Sequence, residues 1–386
     1  MTRSLAAIAT ALTFALLLTS CASSPQAMIE AARSGDAERV ARVVLRDELS
    51  RRGLPGDVAM GDIENLPVLL RAVRELLRDR WGEREPEVAS ERRYVKYTNA
   101  YEARAIVDFE QGWLRVETIA TDAPLQKLKE AIVATLLTPR NLSLEDIFTD
   151  ADPTPGSEPF LLGQILDEDD EPIRWEWRAE RFADHLIATA LERSRQQNRT
   201  LHAVTAQLID GHLHLRQLEY AEQVIAASRQ YRVPPSVIYA VIEVESAFNP
   251  YAVSSANAYG LMQVVPATAG RDVYARIKNL PGEPTRQQLF QPAFNIDVGS
   301  AYLHLLDDHY LRQIQHAESR RYTMIAAYNG GPTSVWRAFH DDRGRALDRI
   351  NTMSPNQVYQ QIVAAHPFGE TRRYLEKVRQ AETRYR

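Results

Sequence analysis

Polar residues alternate with β-branched or aromatic ones along YVKYTNAYEARAIVDFEQGWLRVETIATD, residues 94–122. Side chains on a strand alternate between faces, so this texture predicts strands, with Glu110-Gln111-Gly112 turning a hairpin. Upstream, residues 24–92 space Leu and Val among Ala, Arg and Glu, as in RVARVVLRDELSRR and LPVLLRAVRELLRDRWGERE. That spacing predicts helices broken at Pro55-Gly56, with the charges on solvated faces. Downstream come a helix over LQKLKEAIVATLL, an acidic proline-containing loop around DADPTPGSEPF, a strand, a DEDDEP turn, and a segment IRWEWRAERFADHLIATALERSR. These make a small α+β domain ending near residue 200. From Gln217 the pattern is helical almost to the end, which predicts a second, all-α domain. No internal repeat is visible.

His202, His212 and His214 raise the question of a metal. Alternation would set Asp210, His212 and His214 on one strand face. The spacing matches no metal motif, and a structural or surface role is the expectation. No phosphate loop, dinucleotide fingerprint or Gly-x-Ser-x-Gly elbow occurs.

YAVIEVESAFNP poses a sharper question. Pro234-Pro235-Ser236 starts a helix, and Asn249-Pro250 closes the segment. Ile238, Val241, Ile242 and Glu245 fall at i, i+3, i+4 and i+7, so Glu245 projects from the apolar stripe. Glu243 lies roughly 200° away around the helix and is expected in solvent. A carboxyl on an apolar face is desolvated and favours its neutral form. That suits a general acid, and equally a structural glutamate met by a buried arginine or backbone donor. Two later segments bear on the choice. AYGLMQVVPATAG turns at Gly260 and carries Gln263 in an apolar run. RYTMIAAYNGGPTSVW is a helix stopped by Gly330-Gly331-Pro332, with Met324, Ile325 and Tyr328 on one face. A buried phenol needs a partner, and a buried carboxyl can be one.

The chain has 386 residues, 45% hydrophobic and 25% charged, which is too long for one core and too apolar for disorder. A net charge of -5 gives no reason to expect nucleic-acid binding. The N-terminus combines Arg3, an apolar run from Leu5 to Leu18 and small residues, the layout of a secretory signal. Its end, LTSC, resembles a bacterial lipobox, which implies cleavage before Cys21 and a diacylglyceryl thioether on it. Ala22 and Ser23 follow, and by resemblance to sorted lipoproteins they favour the outer membrane. Cys21 is the only cysteine, so disulfides, a catalytic thiol and a cysteine metal site are excluded within one mature chain.

The ordered set ES-x-FNP, GLMQ and AYNGG resembles the catalytic domain of soluble-lytic-type transglycosylases, related in fold to goose-type lysozyme. FLLGQILDEDDEPIRWEW and NTMSPNQVYQ…ETRRYLEKV extend the resemblance to membrane-bound members of that family. The resemblance covers roughly residues 94–386, with no clear counterpart before Tyr94. With the reading of the N-terminal residues it gives a lipoprotein signal at 1–20, a charged helical or tether region at 21–92, an α+β domain at 93–200 and an all-α lysozyme-like catalytic domain at 201–386. The fold class is α+β overall.

By that resemblance Glu245 is the sole catalytic acid and base, and Ser246 helps position substrate or the helix. Gln263 and the backbone near Met262 contact the sugar and its acetamido group. Tyr328 hydrogen-bonds and orients Glu245, Asn329 caps its helix, and Tyr374 lies near the cleft. Asn257 stands where many relatives carry glycine, and asparagine tolerates the left-handed region. Asp272 and Asp297 are expected to be structural or surface groups. The implied reaction is non-hydrolytic cleavage of the β-1,4 bond between N-acetylmuramic acid and N-acetylglucosamine in peptidoglycan strands, with no metal and no organic cofactor. A hydrolytic, lysozyme-like enzyme and a non-catalytic peptidoglycan-binding lipoprotein are the alternatives. The expected setting is the periplasmic face of a Gram-negative outer membrane.

Overall fold

A computed structural model describes residues 77–78, 81–82, 87, 89–99, 101–140, 158–196 and 199–386. The signal segment, Cys21 and most of 21–92 lie outside the described residues.

Five antiparallel strands, β1 (Arg93–Thr98), β2 (Ala103–Asp108), β3 (Trp113–Thr118), β4 (Glu192–Gln196) and β5 (Arg199–Gln207), form one sheet in the order β1-β2-β3-β5-β4. The hairpin expected at Glu110–Gly112 joins β2 to β3, with Gly112 at φ 73 supplying the left-handed turn. Alternation sends Tyr94, Ala105, Val107, Leu114, Val116 and Val204 to one face. There they meet helix α1 (Pro124–Leu136) and helix α2 (Glu176–Thr189). Val95, Tyr97, Ile106 and Leu201 point the other way and pack with Leu77 and Trp81. The C-terminal end of the expected tether region therefore covers the second face of the sheet. Arg104 and Glu117 are register partners there, buried and ion-paired at 2.6 Å, with the Arg104 guanidinium 4.1 Å from the Trp81 ring centroid.

Three local expectations change. The strand foreseen after the acidic loop is a run of turns with isolated bridges, because Gly163 at φ 74 redirects the chain. Residues 192–196, given no element in the sequence, follow the helix that ends at Thr189 and form β4, since they pair with β5. β5 itself runs to Gln207, so the boundary expected at 200/201 falls inside a strand. The HLH run is not a strand either. A turn at Ile209–Gly211 leads into helix α3 (His212–Glu219), and helical phase puts His212 inside and His214 outside. Both ring nitrogens of His212 lie 2.9 Å from backbone carbonyls, those of Ile209 and Phe109.

The remainder is helical: α4 (Ala221–Tyr231), α5 (Pro235–Ser246), α6 (Pro292–Leu305), α7 (Ala317–Gly330), α8 (Pro332–Arg337), α9 (Arg343–Thr352), α10 (Pro355–Ala365) and α11 (Gly369–Glu382). α6 is buried almost all round, from Asn295 to Leu303, and forms the axis on which α4 and the loop before it pack. The whole is an α+β protein, a small sheet with two helices followed by an all-α unit.

The two parts meet at the end of α5. Ala247 and Tyr251 insert into the sheet's apolar cluster, Tyr251 lying 5.9 Å from Tyr94 between ring centroids. Arg216 of α3 is fully buried. It donates to Gln164 Oε1 at 2.6 Å and to the Phe248 carbonyl at 2.8 Å, and stacks 3.7 Å from the Phe109 ring centroid.

Candidate active site

α5 begins as expected at Pro235, but it stops at Ser246, three residues before Asn249. Ala247 (φ 49) and Phe248 (φ 61) both adopt left-handed backbone, and two such non-glycine residues in succession are strained. The strain is held by Arg216 on the Phe248 carbonyl and by Asn249, whose side-chain Oδ1 receives the Tyr251 amide at 3.1 Å. Ile238, Val241 and Ile242 are fully buried, as the phase required, and Val237 is buried with them.

Glu245 reaches the floor of an open cleft of about 1000 Å³. Helical units supply Gln263, Tyr328, Asn329 and Tyr374, while the facing wall is built by Ser90–Arg93, Asp108, Glu110 and Gln111 from the sheet. Burial is the main cause that pushes Glu245 up to about 8. The Tyr374 phenol opposes that rise, Glu370 and Glu91 add to it, and Arg92 opposes it. Tyr374 is 6% exposed and its hydroxyl completes no hydrogen bond of good geometry among the described residues, so it leans on the carboxyl electrostatically.

Other residues singled out in the sequence occupy different places. Tyr328 does not bond to Glu245; its hydroxyl donates to the Met262 carbonyl at 2.8 Å and so ties α7 to the GLMQ turn. The Met262 amide donates to Asn295 Oδ1 at 2.7 Å, so its backbone N–H is engaged within the protein. Ser246 is fully buried, its hydroxyl 2.8 Å from the Leu261 carbonyl and 3.0 Å from the Ile242 carbonyl, and it does not line the cleft. It fixes α5 to the turn. Gln263 does face the cleft. Its Nε2 is held by the Gly260 carbonyl at 3.0 Å, which leaves the buried Oε1 without a partner among the described residues. Asn329 lies within α7, and its Oδ1 accepts from Thr371 at 2.6 Å instead of capping a helix. Asn257 takes φ 61.

Glu243 is not solvated. The C-terminal turn folds back over α5, and Arg384 and the Tyr385 hydroxyl both bond its carboxylate. Asp272 accepts from the Tyr310 hydroxyl at 2.9 Å and Asp297 from the Tyr231 hydroxyl at 2.5 Å, so both brace helices. The sequence reading missed Glu91, Arg92 and Glu370. Each sits in a charged run that looks like a solvated face, and only the packing of the sheet and α11 about Glu245 turns them inward.

Residues 222–351, which include Glu245, Gln263 and Tyr328, match the family description "Transglycosylase SLT domain". The helical part is a transglycosylase domain of that class. Residues 59–219 match the N-terminal domain of membrane-bound lytic murein transglycosylase C. The enzyme of that name from Sodalis glossinidius is 44% identical over 348 residues, covering 90% of this chain and 97% of the relative. That from Yersinia pestis (strain Pestoides F) is 43% identical over 338 residues, covering 87% and 94%. The chain belongs to the membrane-bound lytic murein transglycosylase C family. The 70 kDa soluble lytic transglycosylase of Escherichia coli is 29% identical, with a TM-score of 0.34, over 45% of this chain and 25% of that one.

Proposed function

We propose that this chain is a peptidoglycan lytic transglycosylase, cleaving between N-acetylmuramic acid and N-acetylglucosamine with Glu245 as acid and then base. The observation that carries this reading is the Glu245 carboxyl in the cleft, raised to about 8 by burial and so largely protonated at neutral pH. Neutral Glu245 protonates the leaving glycosidic oxygen as its bond to C1 breaks, while the substrate's N-acetyl oxygen stabilises the developing cation. The resulting carboxylate takes the proton of the muramyl C6 hydroxyl. That oxygen bonds to C1, closes the 1,6-anhydro ring and restores neutral Glu245. Gln263 Oε1 is a free acceptor beside this path, suited to an acetamido N–H.

Hydrolysis is the second reading, because Glu91 and Glu370 share the cleft and either could activate water as a base. Mass spectrometry of fragments released from isolated sacculi separates the two. Anhydromuramic ends are expected; reducing muramic ends alone would reject the lytic assignment. A non-catalytic binding lipoprotein is disfavoured, since a binding wall gains nothing from a desolvated acid.

The relatives are membrane-bound by name, and among the described residues no helix is long and apolar enough to cross a bilayer. We infer attachment through a diacylglyceryl thioether on Cys21, with the enzyme facing the periplasm from the outer membrane. Cys21→Ala is expected to move the full-length protein from the outer-membrane fraction into the soluble or inner-membrane fractions on density-gradient separation. Retention in the outer membrane would reject this anchor.

A further inference from the structure

The helix that carries Glu245 ends at the left-handed Ala247, whose amide donates to the Glu243 carbonyl, and the last carbonyls of a helix lack ordinary intrahelical partners. One of them, on Val244, immediately precedes Glu245. It receives Arg92 Nη2 at 2.9 Å, from a residue 152 positions earlier that belongs to the sheet unit. Arg92 Nη1 is in turn fixed by Glu110 Oε1 at 2.6 Å, on the hairpin between β2 and β3. The neighbouring Glu91 carbonyl lies 3.4 Å from Asn249 Nδ2, just past the strained turn. Arg92, Glu110 and Val244 all line the cleft.

We propose that Arg92 is a positioning residue for Glu245: the sheet unit uses its guanidinium to pin the Val244 carbonyl and to set a fixed cation beside the reacting carboxyl. The proposal rests on the assignment of Glu245 as the acid. A cationic donor suits the negative end of a helix, and its fork is held by Glu110, so it orients α5 without freely collapsing onto Glu245. Its charge acts against the carboxylates that face Glu245, Glu370 from α11 and Glu91 beside it, and in the same direction as the Tyr374 phenol from α11; Tyr328 from α7 faces the carboxyl as well. The N-terminal sheet thereby becomes part of the catalytic apparatus.

The test uses the full-length protein and release of soluble fragments from sacculi, measured as kcat, KM and the pH profile of kcat/KM. Arg92→Gln keeps a neutral donor for Val244 and removes the charge. It is expected to lower kcat by about tenfold, because one shorter amide cannot hold both Val244 and Glu110, and also to displace the alkaline limb upward by a few tenths of a pH unit or more. Arg92→Lys keeps the charge and loses the fork, so the limb stays in place while kcat falls by about tenfold. Arg92→Ala combines both effects. Thermal melts establish that each variant is folded, and Gln and Lys carry the test if Ala is not. Wild-type pH limb and kcat in both Gln and Lys variants would overturn the proposal. A uniform loss proportional to the unfolded fraction would do so too. Failure of wild-type protein to yield anhydro ends would instead reject the functional assignment beneath it.

Discussion

Glu245→Gln is expected to lower fragment release by about a thousandfold, the scale on which positioned acid–base groups act, while leaving the fold intact. Glutamine matches the neutral carboxyl in shape, so the packing above Ile242 is undisturbed, but it cannot give or take the proton. The same variant has a second signature. Glu245 binds its proton more tightly in the folded chain, at about 8 against 4.5 for the ordinary carboxyl. Between those values the folded state carries more protons than the unfolded one, so wild-type stability falls as pH rises through the window. The full contribution is present below about 4.5 and is lost through about 8. The limiting slope is about 1.4 kcal/mol per pH unit. Glutamine does not titrate, and its advantage over wild type therefore grows from pH 5 to pH 8 and levels off above. Urea midpoints at pH 5, 7 and 9 read this directly. A constant difference across the three would deny the desolvated carboxyl, and full turnover would remove Glu245 from its role.

Gly260→Ala is expected to destabilise the protein by about 3 kcal/mol or more, combining left-handed strain with overpacking. Gly260 sits at φ 72, and a β-carbon there would collide with the Leu289 carbonyl and with the Asn295 side chain, whose Cγ would be 2.9 Å away. Asn295 cannot yield cheaply. It is fully buried, accepts from Met262 and donates to the carbonyls of Tyr259 at 2.7 Å and Leu289 at 2.8 Å, so displacing it strands several buried polar groups. Gly282 provides the contrast, with φ 76 and open space around it. Gly282→Ala is expected to cost only the backbone term, about 1 kcal/mol. Chemical denaturation of both variants compares them, and equal losses would mean that crowding at Gly260 is not the determinant.

The strands about the Glu110–Gly112 turn, the helix over 235–246 and the opposed faces of Glu243 and Glu245 were legible because each depends on local periodicity. The same periodicity misled where pairing or folding back intervened. ERSRQ carries no apolar alternation and becomes a strand only because β5 is present to pair with it. Glu243 reads as solvated until the Arg384–Tyr385 turn covers it. Tyr328 was rightly placed inside, yet its partner proved to be the Met262 carbonyl, a choice between two buried acceptors that phase cannot make.

The sequence by itself determined that one carboxyl rides an apolar helix face, because helical phase and the desolvation of a charge are properties of the segment alone. Three short motifs in order also fixed the family to which that carboxyl belongs. Tertiary structure decided what surrounds it. The Val244 carbonyl, the Tyr374 phenol and the Arg92 guanidinium come from positions separated by 130 residues or more in part, and their approach is set by how the sheet and α11 close on the end of α5. Electrostatic coupling falls with distance in space, not along the chain, so the tuning of the acid is a property that only the assembled fold possesses.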